Sequence, residues 1–305
     1  MLRFLLRRLV LAALVVITVL TVSFALTHVA GDLATAIAGP NATAADVEAV
    51  RKAYGLDRPV LVQFAEWATR AARGDFGDSF FSNEKVSTLI AHRLPVTATL
   101  GFVGIAIALA LALPLGIIAA VRQNTVVDRL VSLIAVIGQA MPTFWFGLIL
   151  MVVFGLRLGW LPVSGTGSWQ HFIMPGVVLA FTGIPALLRL TRSGMIEVLA
   201  SDYIRTARAK GLRERTVVLH HALENAAIPI VSIAAVQLGF MLGGSVVIEQ
   251  VFALHGVGYL AWESISKNDF PVVQAVVLVL SCIYVLLTLI ADLANAFLDP
   301  RLRTA

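Results

Sequence analysis

Six long apolar runs divide the chain, at about residues 9–29, 96–120, 130–156, 172–190, 227–248 and 272–294. Each is close to or above the roughly 20 residues a helix needs to cross a bilayer at about 1.5 Å per residue. The polar intervals differ in charge. Arg3, Arg7 and Arg8 precede the first run, Arg122 and Arg129 flank the interval after the second, Arg189 to Arg215 fill the interval after the fourth, and Arg301 and Arg303 follow the sixth. The alternate short intervals hold only Arg157 and Lys267. Basic residues mark the cytoplasmic side, so the pattern predicts an all-α polytopic protein with six transmembrane helices and both termini cytoplasmic. Arg3, Arg7 and Arg8 could also open a signal peptide. The apolar stretch behind them is long for one and "LTHVAGD" is a poor cleavage site, so the first run is read as a retained helix.

The interval from 30 to 94 lies outside and is predicted to fold as a small helical cap. Thr43 is an N-cap with Asp46 three residues on, and Gly55 stops that helix. Pro59 opens a second helix with Leu61, Phe64, Ala65 and Ala68 on one face. Val86, Leu89 and Ile90 share a face in a third, before Pro95 opens the second span. Within the spans, Pro142 predicts a kink in the third, and Gly183 with Pro185 a break late in the fourth. Gly239, Gly243 and Gly244 let helices approach closely in the fifth. Gln139, Pro142, Phe144 and Trp145 are candidates for lining a pathway, with plain packing as the alternative.

Composition agrees with a lipid environment. Of 305 residues 59% are apolar and 13% charged, against about 25% in a soluble domain. The net charge of +5 sits in short blocks beside apolar runs, so it predicts topology and the lipid bilayer rather than a nucleic-acid partner. Cys282 is the single cysteine and admits no intrachain disulfide. Arginine far outnumbers Lys52, Lys85, Lys210 and Lys267, which suggests a GC-rich bacterial genome.

Chemistry is thin. No Gly-Lys pair occurs, so a Walker A loop is excluded, as are a His-Glu-x-x-His zinc motif and a Gly-x-Ser-x-Gly elbow. No catalytic residue, metal site or cofactor is predicted for the chain itself. His28, His92, His171, His220, His221 and His255 are scattered apart from one adjacent pair. Ionisable residues inside the spans are nearly missing, with Asp292 and His28 close to span ends, so an ion-coupled relay is not supported. The driving energy is expected from another subunit.

The densest cationic stretch begins at Ser201: "SDYIRTARAKGLRERTVVLHHALENAAIP". Ser201 or Asp202 caps a helix, or else the fourth span continues with Ile196, Leu199, Ala200, Tyr203 and Ala207 as its stripe. Either way Arg205 and Arg208 point away from the bundle. Gly211 supplies a left-handed stop after Lys210. A second helix carries Leu212, Thr216, Leu219 and Leu223. The result is a rigid helix-glycine-helix knob on the cytoplasmic face, or, read blandly, a topology anchor.

"DYIRTARAKGLRERTVVLHHALENAAIP" closely resembles the EAA loop of ABC-importer permeases in the dipeptide, oligopeptide and nickel branch. The resemblance runs through the whole chain, with "YGLDRPVLVQF", "GDFGDSF", "LPLGIIAAVRQ", "PTFWFGLIL", "WLPVSG", "VVIEQVF", "GVGYLAWESISKNDFPVVQA" and "LDPRLR" in order. Departures from the family form are Ala30-Gly31-Asp32-Leu33, His255-Gly256-Val257-Gly258, Glu224 and Gln139-Ala140-Met141; none touches Gly211. The resemblance implies a permease in the bacterial inner membrane that forms half of an alternating-access pathway. Its implied partners are a second homologous permease, two cytoplasmic ATPases that bind ATP and Mg, and an extracytoplasmic binding protein. It also implies an ATPase-coupling site at Asp202, Tyr203, Arg205, Ala207, Ala209, Gly211, His221 and Ala222, within a loop at 197–225. The division expected is a tail and first helix at 1–29, the cap at 30–94 and a permease core at 95–305. The rivals are an ATPase-independent carrier or channel, and a membrane-anchored receptor whose cap binds ligand.

Overall fold

A computed structural model describes residues 2–29, 32–39 and 41–298. The calls on Ala30, Gly31, Arg301 and Arg303 and most of the terminal "LDPRLR" fall outside the described residues, as does the side chain of His28. The described residues are helical throughout, apart from turns and one isolated pairing of Asp78 with Lys85.

Helix α1 (Leu2–Val29) is followed by the cap helices α2 (Leu33–Ala38), α3 (Ala44–Ala53) and α4 (Val60–Ala72). The predicted capping box is present: Asp46 N donates to Thr43 Oγ1 at 3.3 Å and Thr43 N donates to Asp46 Oδ2 at 2.9 Å. Donation to that carboxylate from the Thr43 hydroxyl, at 2.7 Å, and from the Thr43 amide holds it below its usual range. Gly55 ends the segment at φ +67°. Helix α4 turns only part of the expected face inward: Phe64 and Ala68 are half-buried, but the centre of that face shifts toward Trp67. Trp67 and Ala71 are buried while Leu61 and Ala65 are exposed, because the Phe24 ring of α1 meets Phe64 and Trp67, at 5.4 and 5.9 Å between centroids. Apolar spacing within α4 could not show which face a ring on another helix would claim.

Helix α5 (Val86–Val121) also departs from expectation. It runs 36 residues straight through Pro95 and Pro114, rather than starting at Pro95. Val86 and Ile90 are buried as predicted, and their packing on later helices carries the helix past the proline. Helices α6 (Val126–Ala140) and α7 (Thr143–Leu150) meet at Pro142 with a bend of 102°, and α7 loosens into a π turn at Met151–Arg157. The kink expected at Pro142 is in fact a sharp break.

Helix α8 (Ile173–Leu199) is unbroken at Gly183 and Pro185. Both are buried, and Gly183 serves close packing instead: a Cβ there would meet Met241 Cε at 2.6 Å. The α5–α8 pair forms the centre of the bundle, with Ala108, Ala112, Leu179, Leu187 and Leu188 almost wholly buried. Gly116 lets the two backbones close, since a Cβ would fall 2.7 Å from Thr191.

Beyond α8 come α9 (Asp202–Ala209) and α10 (Glu214–Thr216). A π turn at Val217–Ala222 leads from α10 into α11 (Leu223–Gly244), which bends by 57° at Pro229. Helices α12 (Val246–Val251), α13 (Val257–Ser266) and α14 (Phe270–Leu298) complete the chain. Gly239 receives the Tyr284 ring of α14, whereas nothing lies within 4 Å of a Cβ at Gly243 or Gly244. Among the described residues, four helices are long and apolar enough to cross a membrane, and the two bent pairs raise that to as many as six. The chain is thus an all-α polytopic membrane protein with a cap end and a knob end.

Candidate functional site at the knob and the broken-helix wall

The knob is a short lever held by apolar contacts. Helix α8 stops at Leu199, Ser201 is extended, and α9 starts afresh, which decides between the two beginnings the sequence allowed. Ile204 is fully buried and Ala207 nearly so, against Met195, Val217, Val218, Ala222 and Ala226. Tyr203, expected on the inner stripe, is 45% exposed. The second helix also turns a different face inward: Leu212 and Leu219 are exposed, and Val217, Val218 and Ala222 lie beneath. The cause is the π turn, whose extra residue shifts the helical phase and so defeats a strict 3.6-residue count.

Gly211 sits at φ +75° with nothing within 4 Å of a Cβ, so the position requires glycine for its backbone rather than for space. Across this turn Arg208 Nη2 donates to Glu214 Oε1 at 2.7 Å and Arg208 Nε to Oε2 at 3.2 Å. That guanidinium holds the Glu214 carboxyl below its ordinary range. Tyr203 Oη donates to the His221 carbonyl at 3.4 Å, and Asn225 Nδ2 donates to both Tyr203 Oη and that carbonyl at 3.0 Å. Arg205 pairs with Asp202 at 3.2 Å on the open surface.

The eight predicted residues thus fall into two groups. Asp202, Tyr203, Arg205, Ala209 and Gly211 form the exposed tip, with His221 half-buried at its side. Ala207 and Ala222 lie in the packing that supports it.

The pathway candidates cluster at the α6–α7 break. Pro142 precedes the first turn of α7, and Phe144 and Trp145 are about half exposed on its surface. Gln139 lines a cavity of about 160 Å³ with Gly138, Met141, Phe146, Phe181 and Thr182. Its Oε1 accepts a bond from Arg189 Nη1 at 3.1 Å. Arg189 was counted as part of the loop after the fourth span. Because α8 continues to Leu199, Arg189 and Arg192 belong to the helix itself. Arg192 grips buried Asp128 through two bonds of 2.6 and 2.8 Å, and Asn124 N donates to the same carboxylate at 2.9 Å.

Sequence reasoning missed a second polar node, at the cap end. Glu249 is wholly buried. It accepts from Thr97 Oγ1 at 2.7 Å, Ser245 Oγ at 2.8 Å and Tyr259 N at 2.7 Å, while Thr97 Oγ1 accepts from Val257 N at 2.8 Å. One carboxylate therefore ties α5 and α12 to the first turn of α13. At the other end of α13, buried Asp269 accepts from Ser79 Oγ and from Phe80 N. A lone acid inside the apolar run "VVIEQVF" was the available signal. Among the described residues no three His, Cys, Asp or Glu side chains come together as a metal site.

Bent spans around a packed helix pair, with a rigid basic knob at one end, define the class: a helical permease. The chain belongs to the family described as "Binding-protein-dependent transport system inner membrane component", which it matches over residues 112–304; residues 1–101 match that system's N-terminal membrane component. It is 42% identical over 306 residues to the glutathione transport system permease protein GsiC of Salmonella typhimurium, covering 99% of both chains. The protein of the same name from Escherichia coli (strain K12) is 43% identical over 273 residues, covering 90% of this chain and 89% of that one. In fold it is similar to an inward-facing structure of the MetNI methionine ABC transporter, with a TM-score of 0.59 at 20% identity over 69% of this chain and 96% of that one. The chain is a translocation subunit of an ATP-driven importer in the inner membrane.

Proposed function

We propose that this chain forms half of the pathway of an importer for glutathione or a closely similar peptide. It crosses the membrane six times with both termini in the cytosol, and the cap at 30–94 faces outward from the core at 95–305. A homologous but distinct permease supplies the other half. Two cytoplasmic ATPase subunits, which bind ATP and Mg, receive the knob at 197–225, and an extracytoplasmic binding protein delivers cargo to the cap end. Near-complete coverage at 42% identity by permeases named for glutathione supports the cargo class. The exposed Gly211 turn, braced by Arg208 and Glu214 over an apolar socket, carries the coupling role. It offers Tyr203 and Arg205 to a partner's groove.

The test is isolation of the tagged chain from its own membranes, with its companions identified, followed by reconstitution in vesicles with the binding protein. ATP-dependent uptake of labelled glutathione, with an ATPase and a second permease in stoichiometric amounts, is expected. A chain that transports without an ATPase would overturn the coupling assignment.

A further inference from the structure

We propose that Arg189, with Gln139, forms a carboxylate-receiving station inside the translocation pathway. The inference rests on reading this chain as half of that pathway. Two arginines lie one turn apart on α8 and show contrasting environments. Arg192 is neutralised by buried Asp128 through two bonds. Arg189 has no carboxylate within ion-pair distance among the described residues, and a neutral amide oxygen takes one of its donors.

Arg189 lies ten residues before Leu199 and sixteen after Ile173, so about 15 Å of helix separates it from one end and about 24 Å from the other. Helix α8 is about 40 Å long against about 30 Å of hydrocarbon, and its apolar run ends near residue 190, so Arg189 lies toward the knob-side margin of the span. An uncompensated cation inside a membrane faces the bundle interior or a water-filled cavity, because lipid is costly for it. Arg189 is exposed in this chain, and its neighbours point to the watery alternative. Gln139 beside it also lines the small cavity at the Pro142 break, and Thr182, two turns along the same side of α8, completes that lining. Gln139, Thr182 and Arg189 therefore lie along the sharper of the two bends among the described helices, the one at Pro142.

A guanidinium offers five N–H donors in a planar fork that matches a carboxylate, and Gln139 takes one. Glutathione and other peptides carry at least one carboxylate each. The station would hold that group on its way toward the knob end of the pathway. With an amide rather than an acid as its resting partner, Arg189 exchanges one neutral bond for the solute's charge and can release it again.

The decisive experiment uses the whole reconstituted complex on a Cys282→Ser background. Gln139→Cys places a reporter thiol beside Arg189, to be probed with sulfonatoethyl (anionic) and trimethylammonioethyl (cationic) methanethiosulfonates, at rest and with ATP and vanadate. The introduced thiol is expected to react from water. Its preference for the anionic reagent should exceed that in the Arg189→Gln double variant by about tenfold, the low end of what a charged cleft does to local anion concentration. Arg189→Lys should preserve that preference. A thiol inert in both states, or a preference unchanged by Arg189→Gln, overturns the station.

In the complex with Gln139 intact, Arg189→Gln should cut glutathione import about tenfold more than import of its carboxylate ester. Equal losses for both solutes would overturn the carboxylate role. Failure of the unaltered complex to import glutathione would sink the cargo assignment alone, since the labelling result stands without it.

Discussion

The two ends of the molecule are built on different terms. At the knob end, α9 and the π turn rest on small apolar side chains, Ile204, Ala207, Val217 and Ala222, and polar groups are spent on the exposed surface. At the cap end, α13 has an apolar bed too, through Val257 and Leu260, but buried carboxylates are added to it, Glu249 at its first turn and Asp269 just past its last. Apolar contacts tolerate small slides and tilts, whereas hydrogen bonds to a buried acid demand one geometry. The knob therefore has more room to shift on its bed than the cap-end shelf has to move against its donors.

Mutations at the two ends should therefore fail differently. Glu249→Ala strands the Thr97, Ser245 and Tyr259 donors and should destabilise the fold by about 3 kcal/mol, with Glu249→Gln costing less. Thermal unfolding in nanodiscs measures this, and an unchanged midpoint would erase the contrast. Asp269→Ala frees Ser79 and the Phe80 amide and should cost about 2 kcal/mol, with faster proteolysis between residues 74 and 85.

At the knob, Gly211→Val puts a β-branched residue at φ +75°, a strain of about 1–2 kcal/mol confined to the tip. The midpoint should barely move while ATP-driven uptake is lost, and normal uptake would remove the knob from coupling.

The smallest effect is a dependence on acidity. Glu214 titrates below its ordinary value of 4.5 because Arg208 bonds it, so its clasp is fully present above that value and is lost as pH falls through the lowered one. Hydrogen exchange across residues 202–216, corrected for intrinsic rates, should rise in that window and lose the dependence in Glu214→Gln.

Much of this architecture could be read from local signals. The Thr43 capping box, the turn at Gly211 and the break at Pro142 each depend on a few neighbouring residues, and each appears where expected; of the six apolar runs, four fall in single helices long enough to cross a membrane and two in bent pairs. What could not be read depended on distant partners. The inner face of α4 was chosen by Phe24. The phase of the knob was shifted by a π turn that no spacing rule anticipates. Prolines at 95 and 185 left their helices unbroken because packing on neighbours outweighed one lost backbone bond. Glu249 and Arg189 were legible as charges in or beside apolar sequence, but nothing short of the fold shows that one is enclosed by donors and the other exposed beside an amide.

Helix α5 passes without a joint from the cap into the centre of the bundle, and the two family matches end and begin within it, at residues 101 and 112. Its 36 residues make an axle of about 54 Å. Exchange of caps between relatives is therefore a problem of angular phase. Deleting one residue between Ala91 and Leu100 would turn everything before it by about 100° against the core, whereas deleting seven would nearly restore the heading at a cost of about 10 Å in height. Inheritance of this helix should thus tolerate substitutions far more readily than single-residue changes in length.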